Sequence, residues 1–240
     1  MSKFTSDKAL AKLGECINDE SGDLYFLYKQ EFITQSINSD YDPCEYCDVL
    51  SEFIIDEKVY CDEKIKKITR KRKYKTVSHD GKTDNNKGAK KEDPDEKIVA
   101  KKLFNKDVKN LGTVIDYEVP LKSSNEDSGV GKIDMISKKD KTLYFIELKK
   151  QDSKELILRA ILELQSYYET CDREKLIKDF SLEGEITEVK KAILLFKDSK
   201  IANMYDELLK KINSKTIDLM KLLEIEVVII SQDEYDNIVS

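Results

Sequence analysis

The chain has 240 residues, 40% of them hydrophobic and 38% charged, with a net charge of −6, five cysteines, one histidine and no tryptophan. No apolar run approaches the roughly 20 residues a membrane span needs, and the N-terminus lacks an apolar signal core, so the reading is a cytoplasmic chain with no membrane partner. The acidic balance excludes a uniformly basic nucleic-acid coat but leaves room for a local basic groove. An odd number of irregularly spaced cysteines reads as reduced thiols, not a disulfide framework.

Residues 1–69 are acidic. SDKALAKLGECI (6–17) predicts a helix with Leu10, Leu13 and Ile17 inward, and CDVLSEFIIDEKVY (47–60) predicts another. DLYFLYKQEFI (23–33) fits strand and helix equally. This part is read as a small, mostly helical region packed on or beside the main domain, and its acidity makes it a candidate for docking a protein partner. Residues 70–93 begin RKRKYK and hold almost no apolar side chains, so they read as a basic linker or loop that cannot offset its ordering entropy. The sharper reading is a phosphate-contacting arm, with Arg70, Arg72 and Lys73 on a nucleic-acid backbone and Tyr74 stacked on a base. His79 reads as a solvated loop residue.

From residue 94 the pattern is regular. A helix over 94–105 has Pro94 near its start, acids in its first turn, and Ile98, Val99, Leu103 and Phe104 as its apolar face. Strands follow at 113–121, 131–137 and 142–149. Next come an amphipathic helix at 153–171, a strand at 188–196, a helix at 199–212 with Ile201, Met204, Tyr205, Leu208, Leu209 and Ile212 at helical spacing, and a buried strand at 225–230. Hairpins followed by crossovers imply an α/β fold with a mixed central sheet flanked by helices.

The strand TLYFIELK ends in charge. Alternation puts Leu143, Phe145, Glu147 and Lys149 on one face. A short hairpin brings Asp134, from the preceding strand, beside Glu147. Two adjacent carboxylates repel, and one lysine neutralises them only in part. Mg²⁺ or Mn²⁺ resolves the conflict by taking a few carboxylate oxygens and keeping waters for a substrate phosphate. Asp134, Glu147 and the Leu148 carbonyl are the expected ligands, and Lys149 is placed to orient a water or stabilise developing charge.

These residues resemble the signature of the PD-(D/E)xK nuclease superfamily, and most closely its RecB-like, Cas4-like branch. The matching pieces are Glu118-Val119-Pro120-Leu121, Gly131-Lys132-Ile133-Asp134, Glu147-Leu148-Lys149, and Gln165-Ser166-Tyr167-Tyr168. Ile133 stands where the superfamily pattern has proline. The resemblance covers roughly residues 94–230. It implies a restriction-endonuclease-like core (αβββαβ) within a nuclease-like domain at 94–240. It also implies metal-dependent hydrolysis of phosphodiester bonds, in DNA rather than RNA, with Asp134, Glu147, Lys149 and Gln165 catalytic. Gln165 and Tyr168, at i and i+3, would contact nucleic acid near the site. Glu96 and Glu118 are further candidates for the ion; the plain reading of Glu96 is a helix-dipole partner, and that of Glu118 a solvent-facing residue on an edge strand. The competing readings are a nucleic-acid-binding or regulatory module without turnover, and a nuclease subunit that needs a partner.

Cys44 and Cys47 have the spacing of half a zinc site, with Cys61 further on. The plain reading is unligated thiols. An iron–sulfur cluster is not expected, because Cys171 alone follows the signature residues, where that branch places a cysteine trio.

Overall fold

In the computed structural model, which describes residues 4–18, 24–37, 41–60, 65, 67–79, 96–124, 127 and 129–240, the chain begins with α1 (Ser6–Asn18), a 3₁₀ helix (Leu24–Lys29) and α2 (Pro43–Asp56). Then come α3 (Glu96–Leu103), β1 (Asp107–Val108), β2 (Gly112–Pro120), β3 (Lys132–Lys139), β4 (Thr142–Lys149), α4 (Ile157–Thr170) and α5 (Arg173–Asp179). β5 (Glu188–Phe196), α6 (Lys200–Lys210), α7 (Lys215–Leu222), β6 (Ile225–Ile230) and α8 (Gln232–Val239) complete it. The six strands lie side by side in chain order. β1 to β4 are antiparallel, and β4, β5 and β6 are parallel. The fold is therefore mixed α/β, as the residue pattern implied. Parallel neighbours need crossover connections; α4 and α5 supply the first and α6 and α7 the second.

β4 is buried from Leu143 to Lys149, which requires a core on each side. Leu143 and Phe145 enter the larger core, shared with α1, α2, α4, α6 and α7. Tyr144, Ile146 and Leu148 enter the smaller one, under α3 and α8. Each fully buried Leu, Ile or Phe contributes about 1.5–3 kcal/mol, so this strand anchors the charged residues at its end. Leu13, Leu50 and Ile54 of the N-terminal region join the larger core directly.

Several expectations are corrected. Ile98, Leu209 and Ile212 are exposed, not inward. α3 buries Val99, Ala100 and Leu103 instead, and α6 ends at Lys210, before Ile212. Residues 67–79 are not a free tether. Tyr74 is fully buried and donates its hydroxyl to the Ile68 carbonyl, so it is not available to stack on a base. Its amide bonds Asp179, and Arg70 reaches the Lys122 carbonyl. His79 stacks on Tyr117 at 4.0 Å, with Nδ1 2.5 Å from Asp116 Oδ1. The remainder of the basic segment, 80–93, lies outside the described residues, as does Cys61. No helix among the described residues is long and apolar enough to cross a membrane.

Glu118 bends β2. Its φ of +49° is left-handed, which costs a residue with a Cβ about 1–2 kcal/mol. Tyr117 lies in the smaller core and Val119 in the larger, so the alternation of faces breaks at Glu118. Tyr117 pairs with Met135 and Val119 with Ile133, which puts Glu118 across from Asp134. The sheet thus changes course where the candidate site begins.

Candidate functional site

The ladder between β3 and β4 runs as far as Met135 opposite Ile146. Asp134 and Glu147 are the next residues beyond that last pair, and the Asp134 charge acts directly on Glu147. Past that point the Leu148 N–H donates to Asp134 Oδ2 at 2.9 Å, so a side chain takes over an amide at the strand end.

Glu147 and Lys149 are only 2% and 3% exposed. The Lys149 ammonium meets Glu147 Oε1 at 2.8 Å, Glu155 Oε2 at 2.8 Å and Glu163 Oε2 at 3.6 Å. Glu96, in the first turn of α3, accepts from the Lys150 N–H at 3.3 Å and joins the same electrostatic cluster. Its place beside the site goes beyond a helix-dipole role. Glu118, by contrast, is engaged by Lys132 at 2.7 Å.

The charges disturb one another strongly. Burial, with Glu163 and Glu96 adding to it, pushes the Asp134 carboxyl up to about 8 against the pull of Lys149 and the Leu148 N–H. Burial and the Asp134 charge raise Glu147 well above the usual carboxylate range. Burial alone would lower Lys149, but Glu147, Glu163, Glu155 and Glu96 outweigh it and hold the lysine well above its ordinary value. Glu96 is raised by burial.

These residues fit a divalent cation. Glu147 Oε2 is buried and accepts no hydrogen bond from any described residue, a costly state for a carboxylate unless another partner takes it. Among the described residues no three His, Cys, Asp or Glu side chains converge as a ready-made cage. A magnesium-type site manages with one or two carboxylates and retained waters, and Asp134, Glu147 and the strand carbonyl at Leu148 can supply that much.

The structure gathers Asp134, Glu147, Lys149 and Glu96, but not Gln165 or Tyr168. Gln165 is buried further along the sheet, donating to Glu169 at 3.0 Å and accepting from Lys191 at 2.7 Å. Tyr168 packs its ring on Phe145 and Lys191 and donates to the Val189 carbonyl. α4 instead turns Glu163 and Tyr167 toward the cluster. Tyr167 donates to Glu163 at 2.7 Å, and a Cβ on Gly131 would lie 2.0 Å from the Tyr167 hydroxyl, so the glycine makes room for it. Arg159, Glu163 and Tyr167 recur every fourth residue on α4, one stripe of a helix, and that spacing is the signal that identifies them; Glu155 lies just before the helix and pairs with Arg159. Arg72 and Lys73 are exposed on the 67–79 segment, whereas Arg70 is half-buried and bonded to main-chain carbonyls. Cys44 and Cys47 are buried; burial raises both thiols, that of Cys44 to about 12, and Cys44 Sγ donates toward Glu207 and the Met204 carbonyl.

No family model, curated protein or solved structure matches this chain.

Proposed function

We propose that this protein is a divalent-metal-dependent nuclease that hydrolyses phosphodiester bonds in DNA. The observation that carries the reading is the strong mutual disturbance of Asp134 and Glu147 at the ends of two neighbouring strands, with a buried, unsatisfied Glu147 oxygen beside the Lys149 ammonium. The order α3, β2, β3, β4, α4, β5 accords with the αβββαβ core that the PD-(D/E)xK resemblance implies. The choice of DNA over RNA rests on that resemblance alone.

Asp134, Glu147 and the Leu148 carbonyl would hold Mg²⁺ or Mn²⁺, with Glu96 at hand. Bound there, the ion supplies a Lewis acid for the phosphodiester and a bound water of lowered pKa. The protein's own contribution centres on Lys149. Surrounded by carboxylates it stays an ammonium, so it acts as a donor and a positive charge, not as a base. It orients the attacking water and offsets charge that builds on the phosphoryl oxygens. Glu155 and Glu163 fix its position, and Tyr167 fixes Glu163. The attacking water adds its oxygen to phosphorus and gives one proton to solvent, the P–O ester bond breaks, and the departing oxygen takes a proton from solvent. Arg72 and Lys73 are available to phosphates outside the site.

A nuclease panel tests this: linear, circular, single- and double-stranded DNA, and RNA, with wild type beside Lys149→Ala. Cleavage that requires Mg²⁺ or Mn²⁺, stops with a chelator and is lost in the variant supports the reading. Binding without cleavage under every metal favours a module without turnover, and equal cleavage by the variant removes Lys149 from the mechanism.

A further inference from the structure

The candidate site is too acidic to receive a phosphodiester unaided. Asp134, Glu147, Glu155, Glu163 and Glu96 surround the Lys149 ammonium. A divalent ion offsets two of those charges, and a phosphodiester brings another back. Cations at the rim are therefore needed, and two stand there. Arg159 reaches Glu155 Oε1 at 2.5 Å, and its side chain is 26% exposed. Its Nε–H donates to no described residue.

The other is Lys29, at the end of the 3₁₀ helix and over a hundred positions before Asp134. Its ammonium donates to the Gly129 carbonyl in the loop that leads into β3. It lies 5.0 Å from the centre of the Phe26 ring and 5.3 Å from that of Tyr28, which limits its range. The adjacent Tyr28 packs edge-on against Tyr167 at 5.7 Å, with the two hydroxyls 3.4 Å apart. Tyr167 in turn bonds Glu163, which faces Lys149. Lys29 also senses the charges of Glu163 and Arg159. A contiguous chain of contacts thus links the 3₁₀ helix to the catalytic lysine.

We propose that Lys29 and Arg159 form a two-cation clamp for the substrate phosphate next to the one cleaved, which makes the N-terminal segment part of the active site. The inference rests on the nuclease reading for its substrate. It assigns that segment a direct role, in place of an appendage that only docks a partner. A lysine and an arginine together suit a backbone phosphate, as point charge and planar fork respectively.

The test measures binding apart from turnover. A short fluorescein-labelled DNA oligonucleotide is titrated with the full chain with Ca²⁺ in place of Mg²⁺ or Mn²⁺, by anisotropy, across about 50 to 200 mM salt, where each lost phosphate contact flattens the log–log slope by about 0.7 to 0.9. Lys29→Met and Arg159→Met should each weaken binding several-fold and flatten the slope by one contact. Lys29→Arg should restore both. In cleavage assays Lys29→Met should raise KM more than it lowers kcat. Unchanged affinity and slope in Lys29→Met, in a wild type that cleaves, overturns the clamp and leaves the nuclease reading standing. Lys29-dependent binding in a wild type that never cleaves supports the two cations as a phosphate clamp and removes the nuclease reading for the chain by itself.

Discussion

The Lys149 ammonium lies 2.8 Å from the Glu147 carboxylate, both side chains are almost wholly buried, and Glu155 and Glu163 close around the same ammonium. A single cation thus serves three carboxylates. Lys149→Met strips them of it, and breaking a buried pair on one side costs about 3–5 kcal/mol. Urea denaturation of the metal-free protein should register that loss. Added Mg²⁺ or Mn²⁺ should recover more stability in the variant than in wild type, because the ion then offsets charges nothing else does.

Asp134 makes the metal-free protein sensitive to pH. Burial pushes its carboxyl up to about 8 in the folded protein, against 3.8 ordinarily. The folded state therefore holds the proton more tightly than the unfolded chain. Stability from this group is full below its ordinary value and is lost as pH rises through the window up to about 8. The raised Glu147 acts in the same direction. Thermal denaturation in chelator should show a midpoint that falls between about pH 4 and pH 8, and Asp134→Asn should flatten that fall. Because cation and proton compete for the carboxylates, metal affinity should rise over the same window.

Gln165 and Tyr167 should behave in opposite ways. Gln165→Ala leaves buried Glu169 and Lys191 without a shared partner, a loss of about 1–3 kcal/mol in stability. The folded fraction should keep its kcat. Tyr167→Phe removes only the hydroxyl that holds Glu163, so it should fold normally and lower kcat by about tenfold, the worth of one hydrogen bond to a charged group. Steady-state kinetics beside denaturation curves separates the two.

Gly131→Ala tests the packing that admits Tyr167. The new methyl would fall 2.0 Å from the Tyr167 hydroxyl and 2.6 Å from its ring carbon. Overpacking of this kind costs about 1–3 kcal/mol, and displacement of Tyr167 should lower cleavage as well. Pairing it with Tyr167→Phe should relieve part of the stability loss.

The strands were legible in the sequence because each is a short apolar run ended by charge or a turn. TLYFIELK, EVKKAILLF and IEVVII have the bounds read from the letters. Period-two alternation put Glu147 and Lys149 on one face, and a short hairpin put Asp134 beside them. The helix that faces them was harder. Whether Gln165 and Tyr168 or Glu163 and Tyr167 meet the site depends on the rotation of α4 about its axis, which is set by packing on Phe145 and Tyr28 and not by local spacing. Lys29 and Tyr28 belong to a 3₁₀ helix too short to carry a readable period. Tyr74 and His79 were misread because a basic surrounding hid their partners, Ile68 and Asp116, which are brought together only by the fold. α8, beyond the last strand, also has a readable signal in the Ser231–Glu234 capping box.

The most direct measurement is calorimetric titration of Mn²⁺ into wild type, Asp134→Asn and Glu147→Gln at constant pH. The account predicts saturable uptake at one site in wild type and its loss in both variants, each of which remains folded by circular dichroism. Folded wild type that takes up no Mn²⁺, or variants that bind it as wild type does, would contradict a cation held between these two strand ends.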